Sequence, residues 1–248
     1  MTIREAATAI GKAEHFIALT GAGVSTLSGI PDFRSAGSGI YTKPWHGMSV
    51  EEILSIDCFT AHPELFYQWA TEFVYRGEDF CPSIVHTSLT ALESKGYLRR
   101  LYTQNIDALH TRSGSKNVGE LHGSAARHHC LTCGEVYPYS EIAPLVLAGK
   151  VPRCRRCGGL IKPDIVFYGE GLDDRLWREA ERDFSRADLL LVLGSSLTVY
   201  PVASLPEMTL QCGGKIIIVN AQPTFLDGEA AGKFTDLEKF FTELNPLL

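Results

Sequence analysis

Cys130, Cys133, Cys154 and Cys157 form a C-x2-C-x20-C-x2-C array in the middle of a 248-residue chain. Two pairs at this spacing suit two thiolate knuckles closing on one tetrahedral zinc. Disulfides and redox pairs are the alternatives. A redox centre needs only one pair, and Arg153, Arg155, Arg156, Gly158 and Gly159 around the second pair suit a turn wrapped on a metal. Four sulfur ligands leave no open position, so one structural Zn2+ is expected to staple a small lobe rather than to do chemistry. Cys58, Cys81 and Cys212 lie outside the array and read as buried small apolar side chains.

Other residues have types suited to a nucleotide and to proton transfer. Gly21-Ala22-Gly23-Val24-Ser25 follows an apolar run, as a phosphate loop should, and its glycines would let the backbone approach a pyrophosphate while the next helix offers N–H groups. The third glycine of G-x-G-x-x-G is absent, Thr26 standing in its place, so this string alone is a weak signal. Asp32, Phe33 and Arg34 follow; alone they could be a turn with an ion pair. Thr103-Gln104-Asn105-Ile106-Asp107 ends another apolar run with two amides and a carboxylate. These groups could grip a carboxamide and a sugar, or simply cap the next helix. His122, between Leu121 and Gly123 beside the cysteine array, could be a general base or a structural histidine.

Positioning these groups requires strands that end together. Phe16–Thr20, Leu101–Thr103, Leu189–Leu193 and Ile216–Val219 are apolar runs that read as strands buried on both faces. Each leads into Gly, Asn or a polar pair: Gly21, Gln104-Asn105, Gly194-Ser195-Ser196 and Asn220. Between them, Leu176, Ala180, Phe184 and Ala187 share one helix face, with Asp173 or Asp174 as a start cap. Val85, Leu89 and Leu92 do the same, with Gly96 as a stop. Strand alternating with helix predicts an α/β fold, a parallel sheet with helices on both faces. Ligands collect at the carboxyl ends of such strands. Two interruptions predict a smaller lobe: about 35–93, helical and rich in aromatics, and about 127–160, which holds the cysteines.

Composition narrows the partners. A net charge of −6 argues against direct nucleic-acid binding. No apolar run approaches the roughly 20 residues that span a bilayer, so no membrane partner is expected. Metal-type cysteine spacing and a start without a signal-peptide pattern predict a reducing, cytoplasmic setting.

The strings G-A-G-V-S, G-I-P-D-F-R, T-Q-N-I-D, L-H-G, the cysteine array, V-F-Y-G-E, G-S-S-L and I-V-N occur in that order from about residue 13 to 240. This combination resembles the sirtuins, NAD-dependent protein lysine deacylases. Almost nothing lies outside the matching core, which predicts a compact microbial-type enzyme forming a single catalytic domain over 1–248. The resemblance implies a Rossmann-like large lobe, a small zinc-binding and helical lobe, NAD+ as co-substrate and acyl-lysine proteins or peptides as partners. It places Gly21, Ala22, Gly23, Thr26, Asp32, Phe33, Arg34, Gln104, Asn105, Ile106, Asp107, Gly194, Ser195, Ser196 and Asn220 around the cofactor. It gives Val166, Phe167, Tyr168, Gly169, Glu170 and Val199 to the peptide, and makes His122 the general base on a ribose hydroxyl after nicotinamide has left. Nicotinamide and O-acyl-ADP-ribose would be the products. Two departures stand out. Tyr168 replaces the second of two phenylalanines common in the family's acyl-lysine tunnel, and its ring could alter acyl preference or simply pack with its hydroxyl in water. Ala70 and Phe73 stand where desuccinylating members carry Tyr and Arg, so a neutral acyl group, acetyl foremost, is expected. Protein mono-ADP-ribosyl transfer is the alternative activity.

Overall fold

The computed structural model describes residues 1–32, 44–76 and 80–248. Phe33 and Arg34 lie outside the described residues. The strands are β1 (Phe16–Thr20), β2 (Leu98–Thr103), β3 (Val118–Glu120), β4 (Gly123–Cys130), β5 (Val136–Pro138), β6 (Ile161–Ile165), β7 (Leu189–Leu193), β8 (Lys215–Val219) and β9 (Gly232–Phe234). The helices are α1 (Ile3–Lys12), α2 (Gly23–Thr26), α3 (Val50–Ile53), α4 (Ile56–Ala61), α5 (Pro63–Phe73), α6 (Ile84–Ser94), α7 (Leu109–Arg112), α8 (Tyr139–Leu147), α9 (Asp174–Arg186), α10 (Leu205–Gln211) and α11 (Leu237–Leu244).

Six strands form one parallel sheet in the order β3-β2-β1-β7-β8-β9. Successive side chains of a strand point to opposite faces, and the apolar runs supply both. Phe16, Ala18, Leu189, Leu191, Leu193, Ile217 and Val219 pack with α1, α6 and α11 through Ile10, Leu89, Phe240 and Phe241. Ile17, Leu19, Leu190, Val192, Ile216 and Ile218 pack on the other face with α9 and α10 through Phe184 and Leu205. Asp173 caps α9 by accepting from the Leu176 amide at 2.7 Å, and that helix buries Ala180 and Phe184. Strand order reverses between β1 and β7, the place where an open parallel sheet leaves a crevice. Registry levels the strand ends: Thr20 lies beside Thr103 and Leu193, and Leu193 beside Val219. Gly21, Gln104, Gly194 and Asn220 therefore leave one rim together.

A second, antiparallel sheet, β5-β4-β6, packs with α3, α4, α5 and α8 into a separate apolar cluster holding Phe59, Phe66, Tyr67, Trp69, Tyr137, Ile142 and Phe167. The helical part expected over 35–93 reaches too far. Val85, Leu89 and Leu92 of α6 bury against the large sheet instead, because they form one apolar stripe that β1 and β2 complete.

His86, His110 and His128 are buried. Burial pushes the His110 imidazole down to about 3, assisted by His86. It pushes His128 down to about 4 against the pull of Asp164, and lowers His86 against that of Asp107. The unfolded chain would protonate these rings near 6.5. From about pH 6.5 down to about 4 for His128 and about 3 for His110, the unfolded state therefore binds protons that the native state refuses, and stability falls as pH falls, His86 acting in the same direction. The expected loss is on the order of 1 kcal/mol per pH unit for each of His110 and His128. It should appear as a lower urea midpoint at pH 5 than at pH 7, and an equal midpoint would refute it.

Candidate active site

The loops after β1 and β7 cross in contact. The Gly21 amide donates to the Leu193 carbonyl and the Gly23 amide to the Gly194 carbonyl, both at 2.9 Å. A Cβ on Gly21 would lie 2.7 Å from the Gly194 oxygen, and one on Gly23 2.8 Å from the Gly194 Cα. Gly194 has φ +57°, and a Cβ there would lie 2.6 Å from the Val24 nitrogen. These glycines are thus dictated by protein backbone meeting protein backbone. The expectation of free amides at the next helix is corrected. α2 is a single turn, and the Val24 and Ser25 amides already donate to Gly21 and Ala22. The Ala22 amide has no backbone carbonyl partner among the described residues.

β2 delivers the amides. Gln104 donates through Nε2 to Ser195 Oγ at 2.8 Å, bridging the two halves of the crevice. The Asn105 Nδ2 donates to the Gly21 carbonyl and to Ser25 Oγ, each at 3.1 Å. Both amide hydrogens being used, its side-chain oxygen is the group left to accept. Ser25 Oγ donates to Asp107 Oδ2 at 2.7 Å, while Asp107 Oδ1 accepts from the Leu109 amide at 2.9 Å. The capping reading thus holds for the carboxylate and not for Asn105. Ala108 between them turns with φ +58°, strain that a non-glycine residue carries where surroundings fix it.

His122 sits between β3 and β4. Gly123 follows with φ +72°, and a Cβ there would lie 1.8 Å from the Asp164 carbonyl oxygen, so β4 can leave His122 against β6 only through glycine. The His122 Nδ1–H donates to the Gln104 carbonyl at 3.0 Å. A carbonyl can only accept, so in the neutral form of the ring the proton sits on Nδ1 and Nε2 is the nitrogen without one.

His122 lines a cleft of about 1290 Å³. Gly21, Ala22, Gly23, Thr26, Asp32, Gln104, Asn105, Ile106, Gly194, Ser195, Ser196 and Asn220 share it, with Val166, Phe167, Tyr168, Gly169, Glu170 and Val199. Asp107 instead lines an adjoining cavity of about 360 Å³, which shares Ala22, Trp69, Asn105 and Ile106 with the cleft. Residues that sequence reasoning missed include Ser25, which joins Asn105 to Asp107 from 82 positions away. Thr235, Leu237 and Glu238 at the Asn220 end were also missed. Ser25 stood in the glycine string, but its partner is visible only once β1 and β2 are paired.

The peptide-side segment is largely spent on its own fold. The Val166 amide donates to the His122 carbonyl, Tyr168 exchanges hydrogen bonds with Leu54 and Ile56, and the Glu170 amide donates to the Phe167 carbonyl. Among the described residues, the Val166 carbonyl, the backbone of Gly169 and the Glu170 carbonyl bond to no other backbone. Of the 166–170 segment expected to receive the peptide, these are the backbone groups left for it. Phe167 is buried against Phe59 and Phe66, while Tyr168 is exposed at the rim.

Outside the array Cys58 is half-buried and Cys81 and Cys212 are exposed, Cys212 at the end of α10, so their expected burial is corrected. The four sulfurs of the array lie within 4.8 Å of one another. The Cys130–Cys157 and Cys133–Cys154 sulfurs are 3.5 and 3.6 Å apart. Sulfurs about 2.3 Å from one tetrahedral zinc stand roughly 3.8 Å apart, so the cluster fits a structural zinc. Tyr137 donates its hydroxyl to Cys154 Sγ at 3.2 Å, as a partner outside the ligand set.

A family model described as the Sir2 family matches residues 21–201. The chain belongs to the Sir2 family. It is 42% identical over 234 residues to an NAD-dependent protein deacetylase of Thermotoga maritima, covering 94% of this chain and 93% of that one. It is 41% identical over 227 residues to NAD-dependent protein deacylase 2 of Archaeoglobus fulgidus, covering 91% and 87%. Among solved structures it is similar to a Sir2 with a p53 peptide and NAD+, at TM-score 0.90 and 40% identity over 99% and 98% of the two chains. A Sir2 bound to a propionylated peptide matches at TM-score 0.89 and 39% identity, with the same coverage. NAD+ is the co-substrate of sirtuins, and the glycine crossing and strand-end amides of this chain form a cleft suited to it.

Proposed function

We propose that this chain removes acyl groups, acetyl foremost, from protein lysine side chains in an NAD-dependent reaction. The observation that carries the reading is the His122 Nδ1–Gln104 carbonyl bond, which fixes the orientation and tautomer of an imidazole lining the same cleft as Asn105 and Val166. Bound NAD+ supplies an electrophilic sugar carbon and a nicotinamide leaving group. Gly21, Ala22, Gly23, Thr26, Gly194, Ser195 and Ser196 hold its phosphates and sugars, with Asn220 at the adenosine end. Asp32, Phe33 and Arg34 complete the cofactor side. Gln104 orients the nicotinamide ribose, and Asn105, Ile106 and Asp107 receive the carboxamide. His122 takes the proton of a ribose hydroxyl. Val166, Phe167, Tyr168, Gly169, Glu170 and Val199 receive the acyl-lysine peptide. The whole chain acts as one catalytic domain whose small lobe closes on the large one, in a reducing cytoplasmic setting that suits seven cysteines free of disulfides. No helix among the described residues is long and apolar enough to cross a membrane.

The described lining of the larger cleft contains no lysine or arginine. A buried carboxylate without a cation is costly, so acetyl should be favoured over succinyl. The test is incubation with NAD+ and a panel of acyl-lysine peptides, with products read by mass. The expected result is one nicotinamide and one O-acyl-ADP-ribose per lysine freed, fastest for acetyl. Faster desuccinylation would overturn the preference. Radiolabel from NAD+ retained on protein, with no small acyl product, would replace deacylation by ADP-ribosyl transfer.

A further inference from the structure

Lys162 is a buried cation in a position that none of the chemistry above uses. It lies in β6, only 1% exposed, and is not among the residues lining the cleft. An ammonium out of water must find acceptors for its three hydrogens. Lys162 Nζ donates to the Ile165 carbonyl at 2.6 Å and to the Pro163 carbonyl at 3.2 Å, and it pairs with Glu170 Oε2 at 2.8 Å. It also lies 4.1 Å from the centre of the Phe167 ring, a cation–π contact. Glu170 Oε2 accepts in turn from the Phe167 amide at 2.8 Å. One ammonium therefore ties down the segment from Pro163 to Glu170.

The consequence follows from strand geometry. Carbonyls alternate between the two edges of an extended segment. Those of Pro163 and Ile165 turn to Lys162, while that of Asp164 turns to Gly123 of β4. Val166 follows the last residue of β6, and its amide donates to the His122 carbonyl at 2.9 Å, which sets the Val166 backbone beside His122.

We propose that Lys162 is a positioning residue for acyl-lysine, its buried ammonium holding Pro163–Glu170 in the arrangement that presents the Val166 carbonyl and sets the Phe167 ring. This rests on the deacylase reading. Among the described residues, the polar and ring partners of Lys162 Nζ are Pro163, Ile165, Phe167 and Glu170, so its loss should separate peptide binding from NAD+ binding.

The experiment measures binding of a fluorescent acetyl-lysine peptide by anisotropy, with the KM of each substrate, for wild type, Lys162→Met, Lys162→Arg and the double variant Lys162→Met/Glu170→Gln. Lys162→Met should raise the peptide Kd and KM about tenfold while the KM for NAD+ stays within about twofold. Lys162→Arg, which keeps a charged donor, should recover most of the loss. The double variant should regain thermal stability, because no charge is left unpaired, yet stay weak for peptide. Should Lys162→Met not fold, Lys162→Gln, which keeps a donor without the charge, carries the test, with a smaller loss confined to peptide. A peptide Kd unchanged by Lys162→Met, one that moves in step with the KM for NAD+, or one that recovers with melting temperature in the double variant would overturn the proposal. Wild-type protein that fails to bind acyl peptide would instead defeat the deacylase reading itself.

Discussion

His122→Ala is expected to keep NAD+ binding and to lose at least about a hundredfold in turnover, the scale of a lost general base. The imidazole contributes two things that alanine lacks. Its Nδ1–H is committed to the Gln104 carbonyl, which fixes both tautomer and ring orientation. Its Nε2 is thereby left to accept a proton. Gln104 keeps its own side-chain bond to Ser195 and its amide bond to the Thr20 carbonyl, so the cofactor wall does not depend on the imidazole. The KM for NAD+ should thus change little while kcat falls, the signature of an interaction made in the transition state. A base that acts after nicotinamide has left should also spare the earlier step. Exchange of labelled nicotinamide into NAD+ should survive in the variant far better than deacylation does. Near-normal deacylation by His122→Ala would remove the histidine from the role. Equal loss of exchange and deacylation would move its action to the first step.

The frame of this site was legible wherever burial is uniform. Phe16–Thr20 and Leu189–Leu193 are apolar at nearly every position, and both strands begin and end where that pattern does. β2 begins three residues before its expected start, at Leu98, because Arg99 and Arg100 hide it. Arg99 is exposed, and Arg100 pairs through one terminal nitrogen with Glu179 of α9 at 2.9 Å, a partner that periodicity does not reveal. β4 was illegible for the opposite reason. Its sequence, Gly123 to Cys130, contains two histidines and an arginine, yet His128 is fully buried with Nε2 bonded to the Tyr75 hydroxyl at 2.7 Å. The residues that could do chemistry were found by type and order. How they are held was not, because the holders are distant in sequence: Ser25 for Asp107, Gln104 for His122, Glu170 for Lys162. The glycines of the phosphate-type loop show the limit most directly. Their spacing was read as room for a ligand, whereas the first demand on them is the passage of Gly194.

Removing the metal should be the more damaging change to the fold. Binding of a structural zinc is worth on the order of 10 kcal/mol, comparable with the whole stability of an ordinary domain. The four sulfurs close the far ends of the antiparallel sheet: Cys130 ends β4 opposite Ile161 of β6. The near ends of the same two strands reach the site, since Gly123 follows His122 and lies opposite Ile165, which precedes Val166. Slack introduced at the cysteines is therefore carried along two short strands to His122 and to Val166. The large sheet has its own cores on both faces and holds no cysteine of the array. Chelation under mild denaturant should release one zinc per chain, abolish deacylation and expose the cluster around Phe59, Phe66 and Phe167, while much of the parallel sheet stays protected from hydrogen exchange. Returning zinc should restore activity with a one-to-one stoichiometry. Metal-free protein that keeps both its melting temperature and its activity would show that the four thiols hold the lobe together without an ion.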